Sequence, residues 1–391
     1  MKKQTLAIDT PFERRDAYGA LSMPVYHTAA YEFDTAKDMA DAFTGRVIAP
    51  DYSRVMNPTV TFFEQKIAVL TGADHVVAMA SGMAAITNTL LSVAQAGKNI
   101  ISSRHLFGNT LSLLTSTFGR LGIEARLCDL TNPAEVAAAV DGDTCCIFLE
   151  IVTNPQLEVA DLRELSKITR QHGIPLVADT TVIPFTEFSA KALGVDIEVL
   201  SSTKYLSGGA TTLGGVIVDY GTTPGFYKRL HDELLFNFGA YMTPHVAYMQ
   251  TIGLETLHAR YAVEHANALR VARALCGLRS IVRVNYIGLE DNPYYKVAQE
   301  QYGPTAGALI TIDLESEAAC FDFINRLKLV RRATNLFDSK TLAIHPASTI
   351  FGPFSADERK AMDVLDTTIR LSIGLEDPDD IVDDIRQALG E

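Results

Sequence analysis

From about residue 60 to residue 220, short apolar runs alternate with stretches of helical periodicity. The runs predict strands at Asn99–Ser103, Ile123–Cys128, Cys145–Leu149, Leu176–Asp179, Ile197–Ser201 and Gly215–Val218. Leu162, Leu165 and Ile168 mark the apolar face of a helix between two of these strands, and Gly173 is a favourable residue just past its end. Such alternation predicts an α/β fold with a mostly parallel sheet, in which ligands bind beyond the carboxyl ends of the strands.

The hydrophobic pattern changes near both ends of this region. Residues 1–50 predict an N-terminal arm, because prolines are scattered through them and periodicity is weak. Residues 51–247 then form the large domain, and residues 248–391 a smaller α+β domain. In the smaller domain we predict a long helix at Thr256–Leu275 and strands at Ser280–Tyr286 and Ala308–Asp313.

The closing helix of the chain has clear boundary signals. Asp377 is suited to cap it, Pro378 fits its first turn, and Gly390 follows its last turn. Ile381 and Ile385 belong to its apolar face.

Lys204 is the most informative residue for chemistry. It lies in Ser201-Ser-Thr-Lys204-Tyr-Leu-Ser-Gly-Gly209, just past the apolar run Ile197–Leu200. A lysine amine can bond covalently to the aldehyde of pyridoxal 5'-phosphate, while the hydroxyls of Ser201 and Thr203 can donate to a phosphate.

Asp179 strengthens this interpretation, because it also ends a strand-like apolar run. A carboxylate there can hold a pyridinium nitrogen protonated, so that the ring accepts electrons. Two strand-end residues of complementary role therefore predict a pyridoxal-phosphate site.

Composition narrows the function classes. The chain has 391 residues and a formal net charge of −13, which argues against a nucleic-acid partner. No apolar stretch approaches the roughly 20 residues that span a bilayer, so we expect no membrane partner. The N-terminal residues lack the apolar core of a signal peptide, and we expect a cytoplasmic protein.

The five cysteines show no CxxC spacing and the nine histidines no HExxH, so no metal site is expected.

Other segments have both a functional and a structural interpretation. Ser81-Gly82-Met83 could cradle a phosphate at a helix start, or form an ordinary strand-to-helix turn. Tyr52-Ser-Arg54 could grip a phosphate, or form an exposed turn. The Phe107 ring could stack on a flat cofactor or belong to the core. Arg370, inside an apolar strand, could bind a substrate carboxylate or a structural aspartate.

Taken together, the segments resemble the Cys/Met-metabolism family of fold-type I pyridoxal-phosphate enzymes. The matching motifs follow the family's order along nearly the whole chain. They are Tyr52-Ser-Arg-Val-Met-Asn-Pro-Thr, Ala80-Ser-Gly-Met-Ala, Asp179, Ser201-Ser-Thr-Lys-Tyr, Ile344-His-Pro-Ala-Ser-Thr349 and Arg370-Leu-Ser-Ile-Gly-Leu-Glu-Asp377.

The resemblance implies a role for each of these residues. Lys204 would carry the cofactor and Asp179 would hold its ring nitrogen, with Phe107 stacked on the ring and Asn154 near the ring hydroxyl. The phosphate would be held within one subunit by Ser81, Gly82, Met83, Ser201 and Thr203. Tyr52 and Arg54 would reach it from a neighbouring subunit, which implies a homo-oligomer, a tetramer built from dimers. Arg370 and Asn335 would bind the amino-acid substrate.

Within the family, the motif Gly214-Gly215-Val216-Ile217-Val218-Asp219 and the segment 344–349 resemble the O-acetylhomoserine sulfhydrylases most closely. The implied reaction is γ-replacement on an O-acyl-L-homoserine by a sulfur donor, giving homocysteine or methionine. A β- or γ-lyase acting on cystathionine or methionine is the alternative, and Asn109 opposes it because methionine γ-lyases carry a cysteine there.

Two positions depart from the usual family pattern. Phe107 replaces a tyrosine that moves protons in many members, and it also keeps the succinyl ester open as a substrate. Thr180 replaces the usual asparagine after the aspartate, and the sequence suggests no consequence.

Overall fold

The structure is a computed structural model, which describes residues 1–10 and 18–391. Its larger sheet has seven strands in the order β1-β7-β6-β5-β4-β2-β3. These strands are β1 (His75–Met79), β2 (Asn99–Ser103), β3 (Glu124–Cys128), β4 (Thr144–Glu150), β5 (Leu176–Asp179), β6 (Ile197–Leu200) and β7 (Gly215–Asp219).

The predicted α/β fold with a mostly parallel sheet is confirmed. Strands β6, β5, β4, β2 and β3 pair in parallel, whereas β7 is antiparallel to both β6 and β1. The residues of β2 and β7 are buried throughout, as expected for a sheet covered on both faces. The five parallel strands therefore bring the ends of β4, β5 and β6 to one edge.

Helices cover this sheet and connect its strands. The helices up to the end of the large sheet are α1 (Lys3–Ile8), α2 (Ala36–Phe43), α3 (Pro58–Thr71), α4 (Gly82–Val93), α5 (Gly108–Ser112), α6 (Pro133–Ala139) and α7 (Leu162–His172). Gly173 ends α7 in the left-handed conformation that glycine adopts readily, as predicted. Ser81 caps α4 by accepting a hydrogen bond from the Ala84 N–H, which fixes the turn between β1 and α4.

The remaining chain builds a second sheet of five strands in the order β10-β11-β12-β9-β8. Its strands are β8 (Arg283–Asn285), β9 (Leu309–Asp313), β10 (Arg331–Arg332), β11 (Leu342–Ile344) and β12 (Thr368–Ser372). The helices are α8 (Phe226–Arg229), α9 (Phe236–Phe238), α10 (Pro244–Leu275), α11 (Tyr295–Tyr302), α12 (Glu317–Arg326), α13 (Ala356–Ala361) and α14 (Pro378–Leu389). Asp377 caps α14 and Gly390 ends it, as predicted.

Several elements differ from the sequence prediction. The arm at residues 1–50 contains two short helices, α1 and α2, and its residues 11–17 lie outside the described part of the chain. Strand β1 was not predicted as a strand, although its apolar run is evident. The long helix α10 begins at Pro244, twelve residues before the predicted start, because His245 to Glu255 continue the helix without a break. The proposed domain boundary at 247–248 lies in its first turn and remains a prediction.

The described residues contain neither a helix suited to span a membrane nor a cluster of metal-binding side chains. None of their helices is long and apolar enough to cross a membrane. Within residues 1–10 and 18–391, no group of three or more histidine, cysteine, aspartate or glutamate side chains could hold a metal ion.

Candidate active site

A cavity of about 520 Å³ opens at the edge where β4, β5 and β6 end. The second sheet closes it from the other side. Ten of the predicted site residues line it, nine of them around the large sheet and the tenth, Arg370, in the second sheet. The ten are Ser81, Gly82, Met83, Phe107, Asn154, Asp179, Ser201, Thr203, Lys204 and Arg370. Residues as far apart in the sequence as Ser81 and Arg370 therefore meet around one cavity.

Lys204 lies in the loop between β6 and β7, and its side chain is half-buried in the cavity wall. Its Nζ donates a hydrogen bond of 2.8 Å to the Asn335 side-chain oxygen. Desolvation and the positive charge of Arg370 lower the pKa of Lys204 to about 8, although the charge of Asp179 acts in the opposite direction. The amine is therefore more readily uncharged and nucleophilic than a surface lysine.

Asp179, at the end of β5, faces the same cavity. One of its carboxylate oxygens accepts the backbone N–H of Thr181 at 2.9 Å. Desolvation raises the pKa of Asp179 to about 6, whereas hydrogen bonds from Thr181 and the charge of Lys204 lower it. The group is thus ionised at neutral pH, and it can hold a protonated ring nitrogen.

The turn between β1 and α4 packs very closely on the loop that carries Lys204. A Cβ atom added at Gly82 would lie 2.7 Å from the Ser201 Cβ, and one added at Gly215 would lie 2.1 Å from the Ser81 carbonyl oxygen. Only glycine permits this approach. The N-terminus of α4 and the Ser201 hydroxyl are consequently brought together at the cavity wall, where they suit a phosphate.

Thr203 lines the cavity, but its hydroxyl is engaged elsewhere. It donates to the Gly214 carbonyl at 3.2 Å and accepts from the Gly214 N–H at 3.0 Å. These bonds close the loop that presents Lys204. In this arrangement Thr203 shapes the loop, and its hydroxyl proton is not directed toward a ligand.

Arg370, in β12, is 3% exposed and faces the cavity from the second sheet. It donates to the Asn154 side-chain oxygen at 3.1 Å and to the Asn335 carbonyl at 3.3 Å, while its buried Nε–H has no hydrogen-bond partner within residues 1–10 and 18–391. Desolvation lowers the pKa of Arg370 to about 9. A buried guanidinium with an unused N–H and no carboxylate of its own is suited to an anionic ligand.

Phe107 precedes α5, and its ring lines the cavity. Its backbone N–H donates to the Glu150 carboxyl at 2.7 Å. A phenyl ring at this position can stack on a flat aromatic ligand, but it supplies no proton.

Tyr52 and Arg54 lie apart from the Lys204 cavity. They line a separate cavity of about 470 Å³ together with Tyr241 and Thr243. The Arg54 guanidinium lies 5.5 Å from the centre of the Tyr52 ring and donates to the Phe236 carbonyl at 2.6 Å. The structure of one chain therefore does not bring these two residues to Lys204.

Sequence reasoning missed some residues of the cavity. Glu150 ends β4 as Asp179 ends β5, so the same strand-end signal could have found it. Thr181 bonds Asp179, and its hydroxyl accepts the Ser201 N–H at 2.9 Å. The remaining lining residues are Ile86, Thr110, Val152, Val182, Leu213, Thr334, Leu336, Thr349 and Ile350.

Thr180, which departs from the usual family pattern, and Asn109, which opposes the γ-lyase alternative, both lie outside the cavity lining. Thr180 faces away from the cavity, and its hydroxyl donates to the buried Glu198 carboxyl at 2.5 Å. The threonine at position 180 therefore has a structural role in this chain. Asn109, the second residue of α5, is exposed and does not line the cavity.

These residues fit pyridoxal 5'-phosphate. The cavity provides an amine of lowered pKa for its aldehyde, a carboxylate for its ring nitrogen and an aromatic wall for its ring. The glycine-lined helix start beside Ser201 provides room for its phosphate.

Comparison with known proteins agrees with this fit. The sequence profile of the family described as Cys/Met metabolism PLP-dependent enzyme matches residues 4–390. An L-methionine gamma-lyase of Fusobacterium nucleatum is 35% identical over 383 residues, covering 96% of this chain and 95% of the relative. An O-succinylhomoserine sulfhydrylase of Pseudomonas aeruginosa is 35% identical over 380 residues, covering 96% and 93%.

A solved structure from Campylobacter jejuni, provisionally described as an O-acetylhomoserine (thiol)-lyase, superimposes with a TM-score of 0.96 and 31% identity. The match covers 100% of both chains, and that protein contains N'-pyridoxyl-lysine-5'-monophosphate. The chain therefore belongs to the Cys/Met-metabolism family of pyridoxal-phosphate-dependent enzymes, and pyridoxal 5'-phosphate is its cofactor.

Proposed function

We propose that this enzyme catalyses γ-replacement on an O-acyl-L-homoserine, with the acetyl ester favoured, and that a sulfur nucleophile gives homocysteine or methionine. The observation that carries the proposal is the arrangement of Lys204, Asp179 and Arg370 around one cavity. An amine, a carboxylate and an unpaired guanidinium N–H together suit a cofactor and an amino acid bound side by side.

Apart from Thr203, the residues of the cavity take the roles that the family motifs imply. Lys204 binds the cofactor covalently, Asp179 holds its ring nitrogen, and Phe107 packs on its ring, with Asn154 close to the ring hydroxyl. The phosphate lies against Ser81, Gly82, Met83 and Ser201, while Thr203 shapes the loop that carries Lys204. When bound, pyridoxal phosphate supplies an electron sink for the pair left at the substrate Cα.

The substrate is held and deprotonated by the residues of this chain. Arg370 binds the α-carboxylate, with Asn335 between it and Lys204. The Lys204 amine, freed when the substrate amine takes its place, removes the Cα proton. After a second proton is lost from Cβ, the Cγ–O bond breaks and the acyloxy group leaves as a carboxylate. The sulfur atom then bonds to Cγ, and protons return to Cβ and Cα. Because Phe107 has no hydroxyl, Lys204 carries these protons.

The charges of the cavity wall support the acetyl ester. Among the described residues that line the cavity, Lys204 and Arg370 are the only lysine or arginine side chains. The cofactor and the α-carboxylate use both of them. An acetyl group is uncharged and needs no further cation, whereas a succinyl ester would bring a second carboxylate.

The location of Tyr52 and Arg54 supports a shared site in a homo-oligomer. Both side chains line a cavity other than that of Lys204, so they are available to a neighbouring subunit, as in a tetramer built from dimers.

Mixing inactive Lys204→Ala chains with inactive Arg54→Ala chains tests whether Arg54 serves the active site of a neighbouring subunit. In a mixed dimer one site inherits both defects and the other neither, so part of the activity returns. If mixtures remain inactive although each variant assembles normally, Arg54 does not serve a partner's site.

Elimination is the second candidate function. It is favoured by the 35% identity to L-methionine gamma-lyases, which equals that to a sulfhydrylase. In this alternative the same residues remove the same protons from cystathionine or methionine, but no sulfur nucleophile adds.

Steady-state assays separate the two candidates. We expect homocysteine from O-acetyl-L-homoserine and sulfide, with a lower kcat/KM for the succinyl ester. Release of 2-oxobutanoate and ammonia from cystathionine or methionine should be slower. Rapid cleavage of either amino acid, with no homocysteine from either ester, would overturn the proposed replacement reaction.

A further inference from the structure

Two carboxyl groups lie side by side at the floor of the cavity. Glu150 and Asp179 are the last residues of β4 and β5, and they are directly paired in the parallel register of these strands. Both line the cavity. The family motifs assign a role to Asp179 but leave Glu150 without one.

The contacts of Glu150 reach the two groups expected to flank the cofactor ring. Its carboxyl accepts the Phe107 N–H at 2.7 Å, and the nearby Asn154 backbone N–H also favours its ionised form. The Asn154 side chain in turn accepts from Arg370. Glu150 thus connects the stacking ring, the amide near the ring hydroxyl and the strand end that carries Asp179.

We infer that Glu150 is a positioning residue, whose carboxyl fixes the Phe107 and Asn154 loops against the cofactor ring beside Asp179. The inference rests on the proposed attachment of the cofactor to Lys204. It does not depend on which amino acid is the substrate.

The environment explains which of the two groups is charged. Desolvation and the neighbouring Asp179 charge together raise the pKa of Glu150 to about 8, although the backbone N–H groups of Phe107 and Asn154 act in the opposite direction. The pKa of Asp179 is lower because Lys204 and the Thr181 donors stabilise its carboxylate. Two such close carboxyls do not both ionise readily, so at neutral pH Glu150 keeps its proton while Asp179 loses its own. No salt bridge to Glu150 exists among the described residues.

Substitutions of Glu150 separate positioning from charge. Glu150→Gln keeps a neutral acceptor for the two N–H groups, and we expect kcat and cofactor affinity within about threefold of wild type. Glu150→Met fills the space without an acceptor, and Glu150→Ala removes both. In these variants kcat should fall by about 10²-fold, as for a misplacement of about 1 Å, while KM changes little. Their cofactor dissociation constant should rise about tenfold and the visible absorption of the bound cofactor should shift.

Glu198→Gln is the matched control. Glu198 is a buried carboxyl on the other face of the sheet, in β6, and it does not line the cavity. Its replacement should leave cofactor affinity and visible absorption unchanged.

The outcomes that would contradict the inference are distinct. Equal losses in Glu150→Gln and Glu150→Met would mean that the negative charge is required. Wild-type absorption and kcat in Glu150→Met, or failure of both Glu150→Met and Glu150→Ala to fold, would mean that Glu150 has only a structural role. Cofactor affinity and absorption are independent of the substrate, so failure of the proposed sulfhydrylase activity would leave these results interpretable.

Discussion

Asp179 and Thr180 are neighbours in the chain, yet they face opposite sides of the large sheet, and the two sides differ in how their polar groups are used. On the core side, the buried Glu198 accepts from Thr180 at 2.5 Å and from the Tyr220 hydroxyl at 2.6 Å. Lys3, whose charge also favours ionised Glu198, donates to the Phe185 and Phe188 carbonyls. On the core side, the hydrogen bonds of Glu198 and Lys3 are therefore made to other groups of the protein.

On the cavity side, comparable groups make fewer hydrogen bonds to the described residues and can still bind a ligand. In the described part of the chain, Lys204 donates to one side-chain acceptor, Asn335, and the Arg370 Nε–H has no acceptor. The Asp179 carboxylate accepts the Thr181 N–H. A lysine and a carboxylate near the same sheet therefore have a structural role where their bonds are complete, and a binding role where bonds remain to be made.

The largest expected difference between the two sides concerns their lysines. Lys204→Ala should reduce kcat by at least about 10⁴-fold, because it removes both the covalent attachment and the proton carrier. Lys3→Ala should leave kcat within about threefold but destabilise the fold by about 1–3 kcal/mol, since the part-buried Phe185 and Phe188 carbonyls lose their donor. Turnover assays and urea unfolding of both variants check this. Comparable kcat values in the two variants would contradict the assignment of a catalytic role to Lys204 and a structural role to Lys3.

The next effect concerns the cation opposite Lys204. Arg370→Lys should lower kcat/KM for the amino acid by about 10²–10³-fold, or ~3–4 kcal/mol, because a lysine cannot form the same paired hydrogen bonds to a carboxylate. Arg126→Lys, in an exposed ion-pair cluster on β3, should have no effect on kcat/KM. A kcat/KM for Arg370→Lys near the wild-type value would show that the α-carboxylate binds elsewhere.

The adjacent residues Asp179 and Thr180 provide the most local test. Asp179→Asn should lower kcat by about 10²-fold, since the charge opposite the ring nitrogen is lost. Thr180→Val should preserve kcat and cost about 1–3 kcal/mol of stability, because Glu198 loses a donor. The measurements are kcat and the free energy of unfolding. A reversed pattern would mean that the two side chains have been assigned to the wrong faces.

The smallest effect is the pH dependence of stability on the core side. Burial raises the pKa of Glu198 above the ordinary value of 4.5. The folded protein therefore keeps a proton that the unfolded chain has released, so the free energy of unfolding decreases as the pH rises from 4.5 through the folded pKa. Glu198→Gln removes this contribution, and its unfolding free energy should vary less with pH. Parallel curves for the variant and wild type would contradict the raised pKa.

The sequence predicted what depends on local pattern. Lys204 and Asp179 could be found because each follows a short apolar run, and parallel strands align their ends at one edge. Glu150 has the same signal at the end of β4, and no motif drew attention to it. Boundaries such as the start of α10 at Pro244 were missed, because the helical pattern of its first turns is weak in isolation.

Other features depend on contacts that periodicity does not specify. The Asn335 side chain bonds Lys204 across 131 residues of sequence, and only the family resemblance pointed to it. The role of Thr180 became clear only when β5 and β6 were placed side by side, because its partner Glu198 belongs to the neighbouring strand. Long-range pairing of polar groups is set by tertiary packing, and a single sequence does not reveal it.

The most direct test of the account is to locate the cofactor on the chain. The purified yellow protein is reduced with borohydride, digested and analysed by mass spectrometry, alongside Lys204→Ala and Lys3→Ala. We predict a single pyridoxyl adduct on the peptide that contains Lys204, present in wild type and Lys3→Ala and absent from Lys204→Ala, with loss of the visible band in step with activity. An adduct on any other lysine, or its persistence in Lys204→Ala, would contradict the assignment of Lys204 and of the cavity around it.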